Sequence, residues 1–136
     1  MARRRCTVEV SSETAAVASQ VRNALDTGDL TAFAEFLDPQ VTWGAPGDLS
    51  PPCQNRRQVL DWYRQGRVDG RRARVVDVTT NADKILVSMK VTAPGAIAGA
   101  VEFGRWQVLT VSAGRVTDIR GYDNPQEALA AAGLPT

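Results

Sequence analysis

The sequence predicts an α+β domain, an antiparallel sheet with helices on one face. Three observations carry this. Apolar residues recur at helical spacing through the first half of the chain and switch to alternation beyond residues 66–72. Four alternating segments then follow one another in hairpin order, and a capped helix closes the chain.

The elements justify themselves in turn. Residues 1–11 carry Arg3, Arg4 and Arg5 with no apolar stretch behind them, so they read as a disordered basic segment rather than a secretory leader. Residues 12–136 then form a single domain. Ser12-Glu13-Thr14 opens a helix on which Val17, Val21, Ala24 and Leu25 share a face, and Gly28 stops it. Asp29 caps a second helix with Leu30, Phe33, Phe36 and Leu37 on its buried side, ended by Asp38-Pro39. Val41-Thr42-Trp43 reads as a short strand, and the Gly- and Pro-rich residues 44–55 as a loop. A third helix covers about residues 56–65, with Val59, Leu60, Trp62 and Tyr63 as its apolar content.

Strands at 74–79 and 85–91 meet around Asn81-Ala82-Asp83, with Ile85, Val87, Met89 and Val91 on one face. A small-residue loop at 93–100 precedes a long strand at 102–111, a tight turn at Ser112-Ala113-Gly114, and a last strand at 115–122. Asn124 caps the final helix, Pro125 suits its first position, and Glu127 has capping-box spacing.

Composition removes whole classes of chemistry. The 136 residues include 16 Lys plus Arg against 15 Asp plus Glu, a net charge of +1 that offers no basic footprint for nucleic acid. There is no histidine, so no His-based triad or general base exists and no His-containing zinc site can form. Two cysteines, Cys6 and Cys53, exclude a four-cysteine metal site and a disulfide framework. No apolar run approaches the ~20 residues that span a bilayer. A cytoplasmic address, with neither metal nor cofactor and no membrane partner, is the expectation.

Three stretches carry a family likeness: Ala24-Leu25-Asp26-Thr27-Gly28-Asp29-Leu30, Phe36-Leu37-Asp38-Pro39-Gln40-Val41-Thr42-Trp43, and Ala113-Gly114-Arg115-Val116-Thr117-Asp118-Ile119-Arg120-Gly121-Tyr122-Asp123. In these, and in its tail from Glu127 to Gly133, the chain resembles the nuclear transport factor two-like superfamily, and within it the SnoaL-like group. The resemblance implies a curved, mostly antiparallel sheet forming a cone closed by helices, a cystatin-like α+β barrel with an apolar pocket. It also implies a homodimer through the outer sheet face. Relatives on this scaffold include polyketide cyclases, steroid isomerases, dehydratases and epoxide hydrolases, besides non-catalytic binding domains.

Candidate site residues follow from what remains. Without histidine, proton transfer falls to carboxylates, Tyr, Lys or Cys. The Asp-Arg-Asp set of the superfamily's epoxide hydrolases falls on Met89, Val91 and Gly121, so that water-activating mechanism is not expected. SnoaL-like cyclases use one acidic residue on the last part of the sheet, which points to Asp123. A carboxylate in an apolar cone would have a raised pKa suited to proton shuttling. The alternative is that Asp123 helps Asn124 start the last helix. Asp118 is a second acidic candidate, or else an ion-pair partner for Arg120 on the same face. Tyr63 offers a hydroxyl.

Trp43, Trp62 and Trp106 could stack on a planar ligand or simply pack, with Met89 beside them; Trp106 and Gln107 point to opposite faces, so at most one lines the pocket. Glu102 and Arg105 sit either at the cone mouth or at a solvated strand end. Cys53 is a thiol activated by the third helix or a small buried hydrophobe. The stretch Arg64, Arg67, Arg71, Arg72 and Arg74 holds an anion or forms a surface compensated by Asp61, Asp69 and Asp77. Together these give a cofactor-free enzyme of cyclase, isomerase or dehydratase type acting on a hydrophobic carbonyl compound by carboxylate acid/base catalysis. The alternative is a non-catalytic ligand-binding or interaction domain.

Overall fold

The computed structural model describes residues 2–95 and 99–135, with the side chains of 2–11 and 100 left aside. The order of elements is the expected one: α1 (Ala2–Thr27), α2 (Leu30–Phe36), β1 (Leu37–Gly44), α3 (Arg56–Val68), β2 (Arg72–Asn81), β3 (Lys84–Pro94), β4 (Ala100–Ser112), β5 (Arg115–Tyr122) and α4 (Pro125–Ala131).

The caps explain where the short helices start. Asp29 turns its carboxylate back to accept from the backbone N–H groups of Thr31 and Ala32, and Asn124 does the same for Gln126 and Glu127. Two boundaries differ from expectation. α1 begins at Ala2 rather than Ser12, so its bounds take in residues 2–11, expected as a disordered segment; no Gly or Pro interrupts residues 2–27. Leu37 leaves α2 for an extended conformation (φ −83°, ψ 134°) and opens β1. Proline at position 39 disfavours a helical Asp38, and Leu37, fully buried, contributes more as a strand residue facing the core.

The sheet is five-stranded, in the order β1-β5-β4-β3-β2, antiparallel except that β1 runs parallel to β5. Its two edges, β1 and β2, do not meet, so the barrel implied by the resemblance is an open sheet. Bulges at Val76 in β2 and at Thr117 in β5, opposite Thr110 and Val111 of β4, bend it locally.

Each face has its own apolar cluster. α1, α2 and α3 cover one face through Val17, Val21, Phe33, Phe36 and Val59, packed on Ile85, Val87, Met89, Leu109 and Ile119. α4 lies on the other, where Ala128 and Ala132 pack on Leu86 and Val108, with Trp106 and Tyr122 alongside. The expectation of helices on a single face is therefore corrected: Leu86, Trp106 and Val108 form a second apolar stripe, and the alanine side of α4 covers it. Asn81 pins the end of that helix, its amide donating to the carbonyls of Ala132 (2.9 Å) and Gly133 (3.0 Å). Among the described residues, no helix is long and apolar enough to cross a membrane.

Candidate functional site

The site is built where α3 crosses the sheet. Asn55 caps α3 by accepting from the Gln58 N–H at 2.9 Å. The preceding residues return to β1, because Trp43 and Cys53 exchange both backbone hydrogen bonds, at 2.9 and 3.3 Å. This closure fixes Trp43 under α3, where it stacks on Tyr63 (centroids 4.9 Å, 20° between planes) and meets the edge of Trp62 (5.4 Å, 87°). Phe33 of α2 meets Tyr63 edge-on at 4.7 Å. Four aromatic rings thus hold one another in preferred offset and edge-to-face geometries.

Beneath them lies a cavity of about 520 Å³, within the range of small-molecule sites. Its apolar wall includes Phe33, Trp43, Met89, Val91 and Phe103. Tyr63 and Gln107 supply a neutral polar pair on that wall, the phenol oxygen lying 3.2 and 3.3 Å from the two atoms of the Gln107 amide. Gln107 is buried, and burial pushes the Tyr63 phenol up to about 12, so it stays a neutral hydrogen-bond donor through the physiological range.

Arg105, on the same face of β4 as Gln107, also lines the cavity. Its guanidinium has room because the residue of β5 beneath it, diagonal to it and paired with Gln107, is glycine: a Cβ on Gly121 would meet Arg105 Nη2 at 2.9 Å, with Trp43 Nε1 at 3.9 Å. Arg105 pairs with Asp123 just past the end of β5.

The structure therefore brings together Trp43, Trp62, Tyr63, Met89 and Gln107 from the expected set. It does not bring in the two carboxylates or Trp106. Asp123 lies at the end of the sheet with its side chain 86% exposed, reaching the cavity only through Arg105. Asp118 is on the opposite face, where it accepts from the Thr42 hydroxyl at 2.6 Å and from Arg120 Nε at 3.1 Å. Arg120 in turn donates to the carbonyls of Ala45 and Asp48, both at 2.9 Å, clamping the 44–55 loop. Trp106 packs with α4 on that face.

Cys53 is buried, and burial pushes its thiol up, which makes it a small apolar filler rather than an activated nucleophile. Sequence reasoning missed Val91 and Phe103 as wall residues, although alternation on β4 places Phe103, Arg105 and Gln107 on one side. It also left open the arginines at the mouth, Arg67, Arg71 and Arg72.

An open α+β sheet with three helices over an aromatic cavity defines a nuclear transport factor two-like domain. The SnoaL-like domain matches residues 17–119, and the chain belongs to that family. No curated protein matches it in sequence. Among solved structures it is similar to Bal32a from a soil-derived mobile gene cassette (20% identity, TM-score 0.69, covering 90% of this chain and 97% of that one). It is also similar to an LEH-like epoxide hydrolase of M. tuberculosis (17% identity, TM-score 0.64, 90% and 92% covered). A candidate polyketide cyclase of Xanthomonas campestris pv. campestris shares 16% identity at a TM-score of 0.67, with 88% and 96% covered. At these identities the likeness is one of fold.

Proposed function

We propose that the chain binds one hydrophobic carbonyl compound in the aromatic cavity. The observation that carries this reading is the Tyr63–Gln107 pair on an otherwise apolar inner wall, with no carboxylate buried beside it among the described residues. With Gln107 Nε2 donating to the phenol oxygen, the phenol hydrogen is left for a ligand carbonyl, and donation into the phenol strengthens that second bond. The stacked faces of Trp43 and Tyr63 favour a planar body.

A second reading, catalysis, is favoured by the Arg105–Asp123 pair. Met89 and Gly121 stand where the superfamily's epoxide hydrolases carry two of their charged groups. Arg105 pairs across the strands with Met89, and Asp123 follows Gly121 by two residues. Asp123 would then accept a proton α to a carbonyl polarised by Tyr63, as in a cofactor-free cyclase, isomerase or dehydratase.

One experiment separates the two. Purified protein is incubated with polyketide, steroid-like and terpenoid carbonyl compounds and epoxides, with heat-denatured protein as control, and the mixture is analysed by mass spectrometry. A compound retained unaltered supports binding. A compound converted by the wild type but not by Asp123→Asn supports catalysis. A panel neither retained nor converted refutes both.

A further inference from the structure

We infer that the ligand of this cavity is an acid: a planar apolar body with an ionised carboxylate that projects to the cavity mouth and is met there by Arg67 and Arg71. The inference rests on the reading that the cavity holds a small molecule, and it adds the charge of that molecule.

The apolar wall says nothing about charge; the mouth does. Four arginines line the cavity, Arg67, Arg71, Arg72 and Arg105, against two aspartates, Asp26 and Asp69. Of the two, only Asp26 has a cation of its own, and Asp69 leaves three mouth arginines with one carboxylate among them. Asp26 faces Arg22 at 4.0 Å along α1, and Asp69 accepts from the Gln65 amide at 3.0 Å. Arg105 has Asp123. Arg72 donates to the carbonyls of Arg67 (3.1 Å) and Arg71 (2.8 Å), which ties the end of α3 to the start of β2 and leaves its charge uncompensated. Arg67 and Arg71 have no side-chain hydrogen bond or ion pair among the described residues.

The chain also makes space for one of these groups. Arg67 lies across Gly28, which has a positive φ of +69° at the end of α1; a Cβ there would fall 1.8 Å from Arg67 Nη2. The glycine that stops α1 thus seats a guanidinium from the last turn of α3 at the mouth. By contrast, Arg64 of the same run is turned to Asp61 (3.0 Å) and does not line the cavity. Within the arginine-rich stretch, Arg64 is thus a compensated surface residue, Arg74 is exposed away from the cavity, and Arg67, Arg71 and Arg72 stand at the mouth.

A pair of planar, permanently charged guanidinium groups suits the two oxygens of a carboxylate. The wall beneath accepts the ring system that the carboxylate would carry.

The test is calorimetric titration of the full chain with 2-naphthoate and biphenyl-4-carboxylate, each against its methyl ester. The acid of each pair is expected to bind about tenfold more tightly at low salt, as hydrogen bonds to a charged group do, with the ratio shrinking as salt is added. Arg67→Gln/Arg71→Gln should bring the acid down to the level of the ester, whereas Arg64→Gln should keep the preference. Circular dichroism of each variant confirms that it is folded. Ester bound as tightly as acid, or a preference that survives the double variant, overturns the inference and leaves the cavity reading standing. If neither acid nor ester of either body binds, both fall.

Discussion

Tyr63→Phe tests the centre of the site because it removes one oxygen and almost no volume. In the wild type the Gln107 amide, 7% exposed, has the Tyr63 hydroxyl at 3.2 and 3.3 Å as its side-chain partner. Deleting the hydroxyl leaves that amide buried and unsatisfied, which costs about 1–3 kcal/mol. The cavity beside it admits water, so the loss belongs at the lower end, about 1–1.5 kcal/mol. For a chain of this length that lowers Tm by about 3–5 °C. Gln107→Leu in the same protein removes the group that was orphaned. The double variant should therefore lose less than the sum of the single losses, with a coupling of about 0.5 kcal/mol or more. Urea denaturation followed by circular dichroism, run on all four proteins, measures the cycle. Strict additivity, within about 0.3 kcal/mol, would refute the argument: Gln107 would then be satisfied by water in every variant, and Tyr63 would be only an aromatic wall.

Three other outcomes are expected. Tyr63 is a neutral phenol whose value rises from 10.0 to about 12 on folding, so its contribution is intact below pH 10 and is lost as pH climbs towards 12. The roughly 2.7 kcal/mol of the full difference is an upper bound, because the cavity beside the phenol admits water, and alkaline denaturation of Tyr63→Phe should lack the step. Gly121→Val places a branched side chain against Arg105 Nη2, 2.9 Å from the Cβ position, so the guanidinium must swing aside and ligand affinity in calorimetry should fall; unchanged affinity would move the ligand away from this end of the cavity. Asp118→Ala releases Arg120 and the Thr42 hydroxyl and should cost about 1–2 kcal/mol in urea without changing ligand affinity, since Asp118 is across the sheet from the cavity; a binding defect would contradict that placement.

What the sequence made legible was local. Asp29 and Asn124 announce their helices because a cap is a contact between residues two or three apart. The last strand was bounded correctly at both ends for the same reason, by the Ala113-Gly114 turn and by Asn124-Pro125. Alternation also sorted Met89 and Gln107 onto definite faces. It could not say which face was inside, and this is where Asp118 and Trp106 parted from the cavity. Nor could it show that β1 pairs in parallel with β5, a contact between segments more than seventy residues apart. The mouth arginines were left open because sequence shows Asp61, Asp69 and Asp77 among them, but not that Arg64 turns to Asp61 while Arg67 lies over Gly28 at the cavity.

The two apolar clusters on opposite faces have a practical consequence. The C-terminal helix is fastened by Ala128 and Ala132 on Leu86 and Val108, and by Asn81, none of which touches the cavity. Anchorage and recognition are thus written on alternate residues of the same strands. A combinatorial library at Trp62, Met89 and Phe103 would rewrite what the chamber accepts while the reverse side goes on holding the fold in register. That makes this small domain a scaffold whose selectivity can be redrawn one face at a time.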